Sequence, residues 1–138
     1  MHSLASQRFE TFWNQVAPSY SGQKVAILGS DQPQNFNCLH NKDLCHFISN
    51  VKDTLREAKG LGFVISTILQ HYYEIIILEL TKSKETNLGL IALAEEYIKD
   101  KGRVIINGDN QIGVKSFLNN ISNYWPCLLY TSPSPRDS

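Results

Sequence analysis

The chain has 138 residues, and its 13 basic and 13 acidic side chains leave a net charge of zero. A neutral domain lacks the basic stripe that marks an autonomous binder of nucleic-acid backbone. No run of 18 apolar residues occurs and the stretch from Met1 to Glu10 holds no apolar signal core, which argues against a membrane span or secretion and leads to the expectation of a cytoplasmic location.

Residues 4 to 16 put Phe9, Phe12, Trp13 and Val16 on one helical face, an amphipathic helix whose aromatic stripe reads as docking surface. After a break from Pro18 to Gly22, the apolar run Lys24 to Leu28 is predicted as a buried strand ending in Gly29-Ser30-Asp31. In a doubly wound sheet that loop is where a nucleotide or S-adenosylmethionine would sit. The loop from Gly29 to Gln34 has one glycine, not the spaced set that close approach of a cofactor to the backbone requires, so no cofactor-binding residue is assigned. Gln32 to Asn41 reads as polar turns with a short strand around Phe36 to Leu39. A helix is expected from Asp43 to Lys59, because Leu44, Phe47, Ile48, Val51 and Leu55 recur at helical spacing. Phe63 to Ser66 is a short strand candidate, and Thr67 to Tyr73 could continue it or turn.

Glu74 to Leu80 is an apolar, β-branched run that reads as a strand buried on both faces. A helix follows, with Ser83 as N-cap and Leu88, Ile91, Ala92, Ala94 and Ile98 at its apolar spacing. Lys101-Gly102 is expected to close it, Gly102 taking the left-handed conformation. Arg103 to Asn107 is a further buried strand. Gly108 and Gly113 bracket a turn, and Val114 to Ser122 reads as another helix. Strand, helix, strand, helix implies parallel strands joined by right-handed crossovers, hence an α/β, Rossmann-like, open and mostly parallel sheet with helices on both faces.

Three further readings come from the residues. Cys38, His40, Cys45 and His46 are possible zinc ligands, but their spacing is not that of a structural site, and one buried cysteine with surface histidines is the simpler account; no metal ligand is assigned. Ser30-Asp31 lacks a nucleophile elbow, and Glu57, Glu95 and Glu96 lie on polar helix faces, so no catalytic residue is assigned. Cys127 to Asp137 reads as translated sequencing-adapter DNA. This divides the chain into an N-terminal helix (1–20), an α/β domain cut short at its C-terminal end (21–126) and a non-native tail (127–138), with the native protein expected to continue.

The runs Lys82-Ser-Lys-Glu-Thr86, Gly102-Arg-Val-Ile-Ile-Asn-Gly108 and Asp109-Asn-Gln-Ile-Gly113-Val-Lys-Ser116 resemble the N-terminal domain of bacterial 16S rRNA guanine-N2 methyltransferases, in the class I S-adenosylmethionine-dependent superfamily. The resemblance covers about a third of the chain. It implies a degenerate, catalytically inactive methyltransferase-like module that supports a catalytic domain lying downstream and helps position rRNA. The glycine-rich S-adenosylmethionine loop and the Asn-Pro-Pro motif would belong to that second domain, with the 30S subunit as substrate. Lys82, Lys84, Asn110 and Lys115 become candidate RNA or interdomain contacts, and Gly102, Gly108 and Gly113 structural turns. A small stand-alone nucleotide-binding domain or enzyme using the Gly29 loop, and a purely structural interaction module, remain as the other readings.

Overall fold

The computed structural model describes residues 4–16, 22–107 and 128–130. The final turn and helix expected from Gly108 to Ser122, with Asn110, Gly113 and Lys115, lie outside them.

The sheet is built on two runs of four apolar residues buried on both sides of their pleat. Strand β1 (Val25–Leu28) is buried at every position, and β4 (Tyr73–Glu79) is buried at Ile75, Ile76, Ile77 and Leu78. They pair in parallel from Val25 opposite Ile75 to Leu28 opposite Leu78. Strands β2 (Cys45–Ile48) and β3 (Val64–Ser66) extend the sheet on one side; β5 (Ile98–Asn107) and β6 (Leu128–Tyr130) extend it on the other. The order is β3-β2-β1-β4-β5-β6, and every pairing among the described residues is parallel. Such a sheet must be covered on both faces. One face takes α1 (Leu4–Val16), a 3-10 turn at Pro33–Phe36 and α2 (Lys52–Gly60), packing Phe9, Trp13, Phe36 and Ala58 on Ile27, Phe47, Ile77 and Ile105. The other takes α3 (Lys84–Tyr97), with Ile91 and Ala94 on Ala26, Ile76, Leu78, Val104 and Ile106. The aromatic stripe of α1 therefore docks on the domain's own core, where Phe9 meets Phe36 edge to face at 4.9 Å between ring centres.

The structure corrects several local expectations. The helix expected from Asp43 begins only at Lys52, and Cys45–Ile48 is a strand. Its apolar residues fit both periods, and pairing with β1 decides the matter: Cys45 and Phe47 face one side, His46 and Ile48 the other. Around Phe36 a 3-10 turn stands in place of the short strand. Helix α3 starts at the Ser83 cap, whose hydroxyl accepts the Thr86 N–H at 3.2 Å, but it ends at Tyr97 rather than at Lys101-Gly102. Leu88 and Ala92 lie on its exposed side, and Ile98 already belongs to β5. The left-handed residue is Lys101, at φ 65°. Gly102 is needed for a different reason: a Cβ there would lie 2.8 Å from the Glu74 carbonyl oxygen. It permits β5 to approach β4 beside an irregularity in their register.

The β3 to β4 connection, residues 67–72, contains no helix. It crosses from the outer strand over β2 and β1 to the start of β4, bending at residues 67, 68 and 71. Ser66 closes the first bend, its hydroxyl donating to the Ile68 carbonyl at 2.7 Å and accepting the Ile68 N–H at 3.2 Å. Leu69 is the buried anchor of the crossover, while Ile68 and Tyr72 stay exposed.

Ile77 is fully buried in the central strand. Ile77→Ala is expected to cost about 2–5 kcal/mol, through lost transfer energy and the cavity left behind, measured by urea denaturation.

Candidate functional site

In open α/β sheets ligands gather outside the carboxyl ends of the strands, where the strand order reverses. Here that point lies between β1 and β4. The side chain standing there is Glu79, the last residue of β4, which no sequence motif singled out. Its Oε1 accepts from the Ser30 hydroxyl at 2.7 Å, and its Oε2 accepts from Asn35 Nδ2 at 3.3 Å and Asn107 Nδ2 at 3.2 Å. One carboxylate thus ties together the loop after β1, the 3-10 turn and the end of β5. Ser30 in turn accepts the Gln32 N–H at 3.0 Å, and the Asn107 carbonyl accepts the Leu80 N–H at 3.0 Å. Burial pushes the Glu79 carboxyl above its ordinary range, outweighing the lowering by its three donors, with Asp31 adding a small push the same way.

Gly29 opens the loop where a doubly wound sheet would seat a cofactor. It has φ 79°, yet the space in place of its side chain is already taken: a Cβ would lie 2.6 Å from Leu90 Cδ1 and 2.8 Å from the Glu79 carbonyl oxygen. The Gly29 position is packed against α3 and β4, and the Glu79 carboxylate holds the loop that follows it through Ser30 and Asn35.

The next loop carries two of the sequence candidates. Lys82 and Lys84 are exposed just beyond the end of β4, on the same carboxyl edge. Buried Asn87 fixes the loop: its Oδ1 accepts the Thr81 N–H at 2.8 Å and its Nδ2 donates to the Thr81 carbonyl at 3.0 Å, as a paired backbone would. The two lysines thus leave from a rigid base. Asn35 and Asn87 carry no signal in the sequence, and Asn107 enters there only as the end of a strand and as part of the Gly102–Gly108 run. The available signal was a glutamate closing an otherwise apolar strand, since such a charge needs donors nearby.

The zinc reading finds no geometry. Cys45 and His46 project to opposite faces of β2, and among the described residues no three His, Cys, Asp or Glu side chains gather as metal ligands. Burial pushes the Cys38 and Cys45 thiols up to about 11 and about 12, which suits packing rather than nucleophilic use. No helix among the described residues is long and apolar enough to cross a membrane.

This architecture is that of the class I methyltransferase-like fold. No protein family and no curated protein matches the sequence. Among solved structures, the chain is similar to the plantazolicin methyltransferase BpumL, in complex with a monoazolic desmethylPZN analog and SAH: TM-score 0.59, 16% identity, 85% of this chain and 52% of that one. The chain therefore spans about half the length of that enzyme's chain. At this identity the likeness establishes the fold.

Glu79→Ala is expected to destabilise the domain by about 1–3 kcal/mol at neutral pH, because three buried or half-buried donors lose their acceptor. A carboxyl raised by folding contributes stability that is complete below its unfolded value and lost as pH rises through its folded value. The stability difference between parent and variant should thus be larger at about pH 4 than at neutrality, as measured by urea melts at both.

Proposed function

We propose that this chain is a non-catalytic methyltransferase-fold module of a small-subunit rRNA guanine-N2 methyltransferase, supporting a catalytic domain and helping to position rRNA. The observation that carries the first half of this reading is the Glu79 cluster. It fills the crevice between β1 and β4 with the protein's own hydrogen bonds, while Gly29 is spent on packing against Leu90 and β4. A domain built this way keeps the fold and gives up the cofactor edge. The rRNA assignment is supported by the resemblance running from Lys82 to Ser116. The exposed Lys82 and Lys84, on a loop held by Asn87, add a small cationic rim at the edge where such sheets meet ligands. Asn110 and Lys115 are proposed to contribute to the same contact.

Two measurements test the reading. Calorimetric titration of S-adenosylmethionine into the chain should give no saturable heat; a micromolar dissociation constant would overturn it in favour of a stand-alone cofactor-binding domain. In the full-length enzyme, Lys82→Glu with Lys84→Glu should weaken methyl transfer to 30S subunits and leave S-adenosylmethionine affinity unchanged. Methylation at the parent's rate would remove these lysines from the RNA contact.

A further inference from the structure

The first residues of β4 and β5 do not pair one to one. Tyr73 stands opposite Ile98 and Ile75 opposite Arg103, so the four residues from Lys99 to Gly102 face Glu74 alone. A bulge re-aims side chains and is favoured beside binding sites. This one borders a cleft of about 400 Å³ at the amino edge of the sheet, the end opposite Glu79, lined by Lys99, Lys101 and Arg103 together with Gln23, Glu74 and Asp100. That volume is in the range of small-ligand clefts. Glu74 is already engaged: its Oε1 takes Lys99 Nζ at 3.2 Å and its Oε2 accepts the Lys24 N–H at 2.7 Å. Among the described residues no carboxylate pairs with Lys101 or Arg103, and Arg103 Nη1 turns back to the Gly102 carbonyl at 3.3 Å. Lys101 holds its charge there at a conformational cost, because φ 65° is a region that glycine and asparagine enter readily and other residues seldom adopt.

Beside the cleft stands an aromatic pair. Tyr72 and Tyr97 lie two residues ahead of Glu74 and Lys99, which puts their Cα atoms within about 7 Å of those residues. The two rings meet at 6.1 Å with 37° between their planes, and Tyr72 is 62% exposed. An exposed ring next to cations without a carboxylate fits a ligand that has both a flat face and an anionic group. A nucleotide is such a ligand: its base stacks on tyrosine, and its phosphate takes the ammonium and the guanidinium. A base stacked inside a duplex offers Tyr72 no free face, which favours an unpaired strand. Zero net charge gives the rest of the chain little pull on a phosphate backbone, so the contact depends on stacking. We propose that the amino edge of β4 and β5 binds single-stranded RNA, with a base on Tyr72 and adjacent phosphates at Lys101 and Arg103. This rests on the RNA half of the reading above and adds a second contact, at the end of the sheet opposite Lys82 and Lys84.

The test is NMR titration of the whole chain with a short oligouridine, with uridine monophosphate and with duplex RNA. Oligouridine should shift the Gly102 and Arg103 amides and the Tyr72 ring protons saturably, and bind more tightly than the monophosphate. With two phosphate contacts its dissociation constant should rise about sevenfold between about 50 and about 200 mM salt, and Lys101→Gln with Arg103→Gln should remove most of that rise. Tyr72→Ala should weaken binding about fivefold or more with the salt dependence kept. Lys101→Gly removes the cation and suits the left-handed backbone, so weaker binding there is not a loss of fold. Equal affinity for uridine monophosphate would make this a free-nucleotide site, and duplex binding without a Tyr72 shift a general phosphate contact. Either result, unchanged affinity in Tyr72→Ala or Lys101→Gly, or no binding at all would overturn the proposal. If oligouridine binds and Lys82→Glu with Lys84→Glu abolishes this while Lys101→Gln with Arg103→Gln does not, the RNA reading stands and this site falls.

Discussion

The pairing of β1 with β4 is the constraint on which the rest of the domain depends. Four consecutive residues of each strand are buried on both faces, so the two can exist only beneath two covering layers. That requirement fixes the placement of α1 and α2 on one side and α3 on the other. It also fixes where the strand order reverses, because β2 and β3 grow outward from β1 while β5 and β6 grow outward from β4. The carboxyl edge above the pair is then a place where the chain can either admit a ligand or close over itself. At that edge a carboxylate, two amides and a hydroxyl meet, contributed by four separate segments.

The likeness to an enzyme structure is a likeness of the sheet and its two cores, which are held by apolar contacts that do not involve Glu79. Among the described residues no buried side-chain polar atom lacks a partner. The lysines beyond Glu79 stand on a separate loop with its own asparagine support. An edge tied internally through Glu79 and an exposed cationic loop are therefore compatible side by side.

How much of this was legible in the residues follows from which forces act locally. The buried strands β1, β4 and β5 were readable because unbroken β-branched runs have one economical use in a parallel sheet, and the Ser83 cap was readable from its hydroxyl and spacing. Residues 43 to 48 were misread because Leu44, Phe47 and Ile48 satisfy a helical stripe as well as a pleat; only neighbouring β1 distinguishes the two. The end of α3 was misplaced because Gly102 signals both a helix stop and a close strand approach, and here the approach to Glu74 governs. The Glu79 cluster could not be read at all beyond its unusual glutamate, since its donors come from positions 30, 35 and 107, which only the topology assembles. The tail was set apart as non-native, yet Leu128–Tyr130 runs parallel to β5 through main-chain pairing. An open strand edge selects partners by backbone groups common to every sequence.

The β3 to β4 crossover also has a bearing on how sequences of this shape can drift. Surface connections ordinarily absorb the gain or loss of a residue with little consequence. This one is exposed at every position except Leu69, which sits in the core on the α3 side. A change of length is therefore absorbed in the exposed residues only if it leaves an apolar side chain at the point that enters the core. Related chains should vary in length on either side of position 69 and keep an apolar residue there.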